Sequence, residues 1–145
     1  MRINSAQHWI LVFDTNILLS AIFSETGSPF FCLKLAKQGG VQSVTCQEIL
    51  NEFQEKLEGK FRWELERTQE ALNEIRNISQ IITITGNLKG VSPDPDDDMI
   101  LECAVIGNAT HIVTGDKRLL SLGNYQNILL VKPTDFLTIV SQPQN

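Results

Sequence analysis

The chain has 145 residues, of which 42% are hydrophobic and 20% charged, and its net charge is −5. That length is read as one domain, residues 1–145, able to bury a core without disulfides or metal staples, and the composition excludes a disordered or fibrous class. The acidic balance argues against general adhesion to nucleic acid; the lack of any apolar run of about 18 residues argues against a membrane span.

The start of the chain shows no basic region followed by an apolar stretch, so a cytoplasmic protein is expected. Residues 1–6 and 141–145 read as flexible tails. Cys32, Cys46 and Cys103 are odd in number and widely spaced, without a CxxC or Cys/His pattern. They are expected to be buried thiols rather than redox or metal groups.

In chain order, Trp9–Phe13 is a short apolar run that suits a buried strand. "ILLSAIF" follows too closely to be a hairpin partner and reads as a short helix. Pro29 is placed for the first turn of a helix through "FFCLKLAKQ", which Gly39 and Gly40 end. "VQSV" is a second strand candidate. "TCQEILNEFQEKL" reads as a helix with Thr45 as cap and Glu48 three positions later, a capping box. A further helix through "WELERTQEALNEIRNI" turns Leu65, Leu72, Ile75 and Ile78 inward. "IITIT" is β-branched and predicts a third strand. "MILECAVIG" predicts a helix ended by Gly107, "HIVTGD" a fourth strand running into a polar turn, and "NILLV" a fifth. "PTDFLTIV" closes the chain as a helix. Strands alternating with helices imply an α/β domain with a mainly parallel sheet, whose ligand crevice lies outside the carboxyl ends of the strands.

The acidic residues fall where that crevice is expected. Asp14 directly follows the first strand, and Asp116 comes two residues after the end of the fourth. Four aspartates, Asp94, Asp96, Asp97 and Asp98, crowd five positions before the apolar helix. Glu52 lies one turn after Glu48, beside its helix's apolar stripe, and lacks the capping explanation that Glu48 has. Two like charges roughly 4 Å apart repel by ~1 kcal/mol even in water. Few basic residues lie near these motifs, and hard oxygen donors suit Mg²⁺ or Mn²⁺, so a divalent ion is the simplest compensation. Taken singly, each acid has an ordinary reading as a helix cap or solvated turn. Their coincidence at one sheet end carries the site hypothesis.

With these residues assembled, the chain resembles a PIN-domain nuclease over nearly its whole length, from "LVFDTNILLSAIF" to "VKPTDFL". It is most similar to the bacterial toxin-like group, akin to VapC-type toxins. "VFDTNILLSA" carries the first acid, Asp14; "EILNEFQEKL" the glutamate, Glu52; "DPDDDMILECA" the third acid; and "IVTGDKRLL" the fourth, Asp116, with Thr114 as its supporting hydroxyl. In the family's pattern the third acid stands seven residues before a small buried residue. Ala104 then selects Asp97, whereas counting back from Thr114 selects Asp98.

The resemblance implies a three-layer α/β/α domain with a mainly parallel sheet of about five strands. It also implies metal-dependent cleavage of RNA, with Asp14, Asp97 and Asp116 holding Mg²⁺ or Mn²⁺. Glu52 would ligate or orient water, and Asn16, Thr114 and Asp98 would support. Lys117 and Arg118 follow Asp116 and are candidates to meet phosphates at the mouth of the site. Lys60 and Arg62 form a second basic patch, while Trp63 is read as core packing rather than as a base-stacking residue. His8 and His111 are read as structural.

An antitoxin protein and a homodimer or higher homo-oligomer are partners that the resemblance implies. Two other classes compete: a PIN-like RNA-binding scaffold without useful catalysis, and a phosphohydrolase of the haloacid dehalogenase type. The latter wants a second acid two positions after Asp14, where this chain has Asn16.

Overall fold

The computed structural model describes residues 8–142. Most of the expected tail residues, 1–6 and 143–145, lie outside that range, whereas Ser141 is the last residue of a helix. The strands are β1 (Ile10–Phe13), β2 (Gln42–Cys46), β3 (Ser79–Ile82), β4 (His111–Val113), β5 (Asn124–Tyr125) and β6 (Ile128–Val131). The α-helices are α1 (Thr15–Phe23), α2 (Ser28–Lys37), α3 (Gln47–Glu55), α4 (Leu65–Ile78), α5 (Pro95–Ile106), α6 (Lys117–Leu122) and α7 (Pro133–Ser141). A single π turn, Lys56–Lys60, continues α3.

The sheet has the order β3-β2-β1-β4-β6-β5 and is parallel except for β5. Six strands form rather than about five. The additional one is a two-residue antiparallel edge closed by Gln126 and Asn127, both at positive φ (48° and 67°), as a tight hairpin turn requires. Chain progression runs outward from β1 to β2 and β3, then returns across β1 to β4 and β6. Parallel crossovers are right-handed, so the reversal carries α5 to the sheet face opposite α1 and α2, giving three layers. Between β1 and β4 lies the point where the order reverses, and ligand crevices form at such points.

The central strands are apolar apart from His111 because both faces are covered: Leu11, Val12, Phe13, Ile112 and Val113 are buried. Cys32, Cys46 and Cys103 are buried free thiols, as expected. Burial pushes the Cys32 thiol up to about 12. His111 is buried between Trp9 and Phe136. Burial lowers its pKa, in keeping with a structural role.

Four local expectations are corrected. Thr45 does not cap a helix. It belongs to β2, its buried hydroxyl is without a partner, and α3 starts from Cys46 with no side-chain cap. Leu65 is 63% exposed, because the buried face of α4 begins one turn later at Thr68. The third strand lies at Ser79–Ile82 instead of 81–85. The Ser79 hydroxyl meets that of Ser43 on β2 at 2.8 Å, while Thr85 is drawn away by the Glu102 carboxylate. Helix α5 begins at Pro95 with Asp94 as its cap, four residues earlier than the apolar run. Gly107 does end α5, by close approach: a Cβ there would lie 2.4 Å from Val44 Cγ1.

Candidate active site

Asp14 extends the β1 ladder by one residue, donating its N–H to Val113 O at 3.0 Å, and its own carbonyl receives the first bonds of α1. Its side chain is therefore fixed at the reversal point and is 7% exposed. Thr114, just past β4, is fully buried. Its hydroxyl donates to Asp14 Oδ2 at 2.8 Å and accepts the Asp116 N–H at 3.0 Å. One hydroxyl thus ties the first acid to the loop bearing the fourth. Burial raises the Asp14 pKa; the Thr114 bond opposes this, Glu52 and Asp116 add to it, and Lys56 offsets part of it. Asp14 consequently lies within the electrostatic reach of both other acids.

Asp116 caps α6 by accepting the Arg118 N–H at 2.8 Å. It is more than the polar turn expected from "TGDK". Asp97 and Asp98 are both buried, at 4% and 6% exposure, at the start of α5. Their partners separate them. Asp98 spends one oxygen on the Gly90 N–H at 2.9 Å and the other on the Ser92 N–H at 2.7 Å, so it folds the preceding loop. Asp97 Oδ2 accepts from the Ser92 hydroxyl at 2.9 Å and faces Arg118 Nε at 3.8 Å. Burial raises the Asp97 pKa; Ser92 lowers it, Asp116 raises it, Arg118 lowers it and Asp94 raises it. Of the two, Asp97 is the one the geometry directs toward Asp116.

Glu52 is half-buried on α3 and pairs with Lys56 Nζ at 3.1 Å, one helical turn on. The same ammonium donates to Asn16 Oδ1 at 2.9 Å on α1. Glu52 acts on the Asp14 carboxyl, whereas Glu48, freed of its capping role, acts on the Cys46 thiol. Position, not the elimination of Glu48 by a cap, distinguishes Glu52.

Basic residues prove closer to the acids than the sequence implies. Arg118 Nη2 lies 3.0 Å from Asp94 Oδ2 and 3.7 Å from Asp116 Oδ2, so Arg118 points among the carboxylates. Lys117 is exposed on the first turn of α6. Lys60 lies over the Phe61 ring, and Arg67 stacks 3.7 Å above the half-buried Trp63, which packs on the core. Among the described residues, no three His, Cys, Asp or Glu side chains form a set able to hold a metal ion in this arrangement. The donor chemistry nevertheless fits a hard cation: oxygen ligands alone, two of them buried carboxylates whose charge their surroundings disfavour.

Glu102 escapes the sequence reading. It is buried on α5 and gathers the Thr85 N–H at 2.6 Å, the Thr85 hydroxyl at 2.8 Å, and the Gly86 and Leu88 N–H groups. Burial alone would raise its pKa, but these donors together bring it below the usual value. A lone acid inside the apolar run "MILECAV" was the available signal. Glu102 shapes the loop after β3 that leads to Ser92 and Asp97.

An uncharacterized protein of Methanocaldococcus jannaschii, MJ1680, is 32% identical over 125 residues, covering 83% of this chain and 79% of that protein. The fold is similar to a chain in the crystal structure of VapBC2 from Rickettsia felis bound to a DNA fragment from their promoter. There the TM-score is 0.61 and the identity 24%, covering 85% of this chain and 98% of that one. The PIN domain family model matches residues 10–118, from the first residue of β1 to the arginine among the acids. This chain belongs to the PIN-domain family.

Proposed function

We propose that the protein is a metal-dependent endoribonuclease and the toxin of a toxin–antitoxin pair. Asp14, Asp97 and Asp116 would hold Mg²⁺ or Mn²⁺, and Glu52 would ligate or orient water. The observation that carries this reading is the placement of Asp14 at the reversal point, joined to Asp116 through the Thr114 hydroxyl. A divalent ion bound there would supply a water of lowered pKa and stabilise the leaving oxygen of an in-line displacement.

The chain's own residues have definite parts in this scheme. Thr114 fixes the carboxylate plane of Asp14. Ser92 fixes Asp97, and Asp98 supports both by folding the loop that presents Ser92. Lys56 joins Asn16 to Glu52 and limits how far the glutamate can move. Lys117, exposed beside Asp116, meets substrate phosphate. No side-chain nucleophile is required.

The partner reading follows family membership and the fold shared with a chain of VapBC2. An antitoxin would fill a groove with an amphipathic segment, and self-association would be homodimeric or higher. Among the described residues no helix is long and apolar enough to cross a membrane, which is compatible with the cytoplasmic location proposed.

A second reading, a catalytically weak RNA-binding scaffold, is favoured by the ion pairs that occupy the acids. Incubation of single-stranded RNA with wild type and Asp14→Asn, with Mn²⁺ or with EDTA, separates the two. The nuclease reading expects cleavage by wild type with Mn²⁺ alone. RNA binding by both proteins without metal-dependent cleavage by either establishes the scaffold instead.

A further inference from the structure

We infer that Arg118 is a displaceable occupant of the acid site, whose guanidinium must leave before a divalent cation can enter and which thereby sets the cation affinity of the protein. This rests on the reading of Asp14, Asp97 and Asp116 as a cation site.

The guanidinium faces three carboxylates from two elements. Nη2 meets Asp94 at 3.0 Å and approaches Asp116 at 3.7 Å, while Nε approaches Asp97 at 3.8 Å. Only the first is within hydrogen-bond distance, so the contact with the two proposed ligands is electrostatic and loose. Among the described residues, Arg118 is the basic side chain in ion pairs with Asp97 and Asp116, while Lys56 is engaged by Glu52 and Asn16 and Lys117 is exposed. A guanidinium and a divalent ion cannot share these oxygens, since each would repel the other at short range.

Departure is structurally simple. The Arg118 side chain is 54% exposed, and its backbone N–H, not its guanidinium, makes the capping bond to Asp116. The neighbouring Leu119 is buried and anchors α6 independently. A released guanidinium remains on the first turn of that helix, beside the site, where a phosphodiester offers it a paired oxygen partner. RNA and cation would therefore assist each other, RNA by retaining the arginine that the cation displaces.

The test is Mn²⁺ binding without RNA, followed by loss of the free-ion electron paramagnetic resonance signal, for wild type, Arg118→Gln, Arg118→Lys and Asp14→Asn. Arg118→Gln is expected to bind Mn²⁺ about five- to tenfold more tightly than wild type, with Arg118→Lys between them. Wild-type melting should be retained, because the cap is a backbone bond. Adding a short single-stranded RNA should tighten Mn²⁺ binding to wild type more than to Arg118→Gln. Equal Mn²⁺ affinity in wild type and Arg118→Gln, lost in Asp14→Asn, overturns the inference and leaves the cation site standing. Binding in none of the four proteins overturns both.

Discussion

At position 14, burial works against the charge that the proposed metal binding would require. The carboxyl is 7% exposed, near Glu52 and Asp116, and its pKa is raised chiefly by burial. Asparagine keeps an oxygen acceptor for the Thr114 hydroxyl and removes the disfavoured charge. Asp14→Asn is therefore expected to melt at or above the wild-type temperature while losing cleavage, as active-site charges often oppose stability. A melting point several degrees lower would show that the ionised carboxylate stabilises the fold. Glu102 is the opposite case. Its carboxylate has hydrogen-bond donors on both oxygens, and its folded pKa is lowered from 4.5. Between the folded and unfolded pKa values the unfolded chain binds more protons. The contribution is thus fully present above the ordinary glutamate range and is lost as pH falls through the folded value. Glu102→Gln, which turns an amide donor toward N–H groups, is expected to cost about 2 kcal/mol in urea unfolding at neutral pH. Its deficit should shrink on acidification below 4.5. A deficit independent of pH would contradict the role assigned to the charge.

Elements were legible in proportion to how local their causes are. The buried strands Ile10–Phe13 and Ile128–Val131 and the helices α1, α2 and α7 stand where apolar runs, Pro29 and Gly39 place them. Pairing partners displaced the rest. Ser79 joins β3 through the Ser43 hydroxyl, and Thr85 leaves it for Glu102; neither contact is visible along the chain. Thr45 and Glu48 have the spacing of a capping box, yet extension of β2 through Cys46 removes Thr45 from the helix end. The hairpin of β5 and β6 was hidden because Gln126 gives no turn signal despite its φ of 48°. Gly107 was expected only as a helix stop, whereas tight packing of α5 against Val44 is what excludes a side chain. Gly107→Ala is expected to destabilise the fold by about 1–3 kcal/mol through overpacking, measured as a lowered urea midpoint. A neutral outcome would mean that α5 can shift on the sheet without cost.

Across the whole molecule, the reversal of strand order converts separations of about a hundred residues into neighbouring positions, with Asp14 and Thr114 in direct hydrogen bond. The sequence placed those residues at strand ends. It set Arg118 at the mouth of the site but could not show its pairing with the acids, nor place Lys56 there, because ion pairing depends on how α3 and α6 face the site. The acidic balance of −5 would also limit how the proposed RNA substrate is held. With few phosphate contacts, log affinity for single-stranded RNA should fall with log salt at a slope no steeper than about −2. A much steeper slope, read by fluorescence anisotropy, would reveal a basic face outside the site described.

The central claim is that Asp14, Asp97 and Asp116 act together on one divalent cation. Anomalous diffraction from crystals soaked in Mn²⁺ tests it most directly. The account predicts manganese density in contact with Asp97 and at least one of Asp14 and Asp116, with Asp98 still bound to the Gly90 and Ser92 N–H groups. Manganese held by Asp98, or absent from this end of the sheet at saturating concentration, would contradict it.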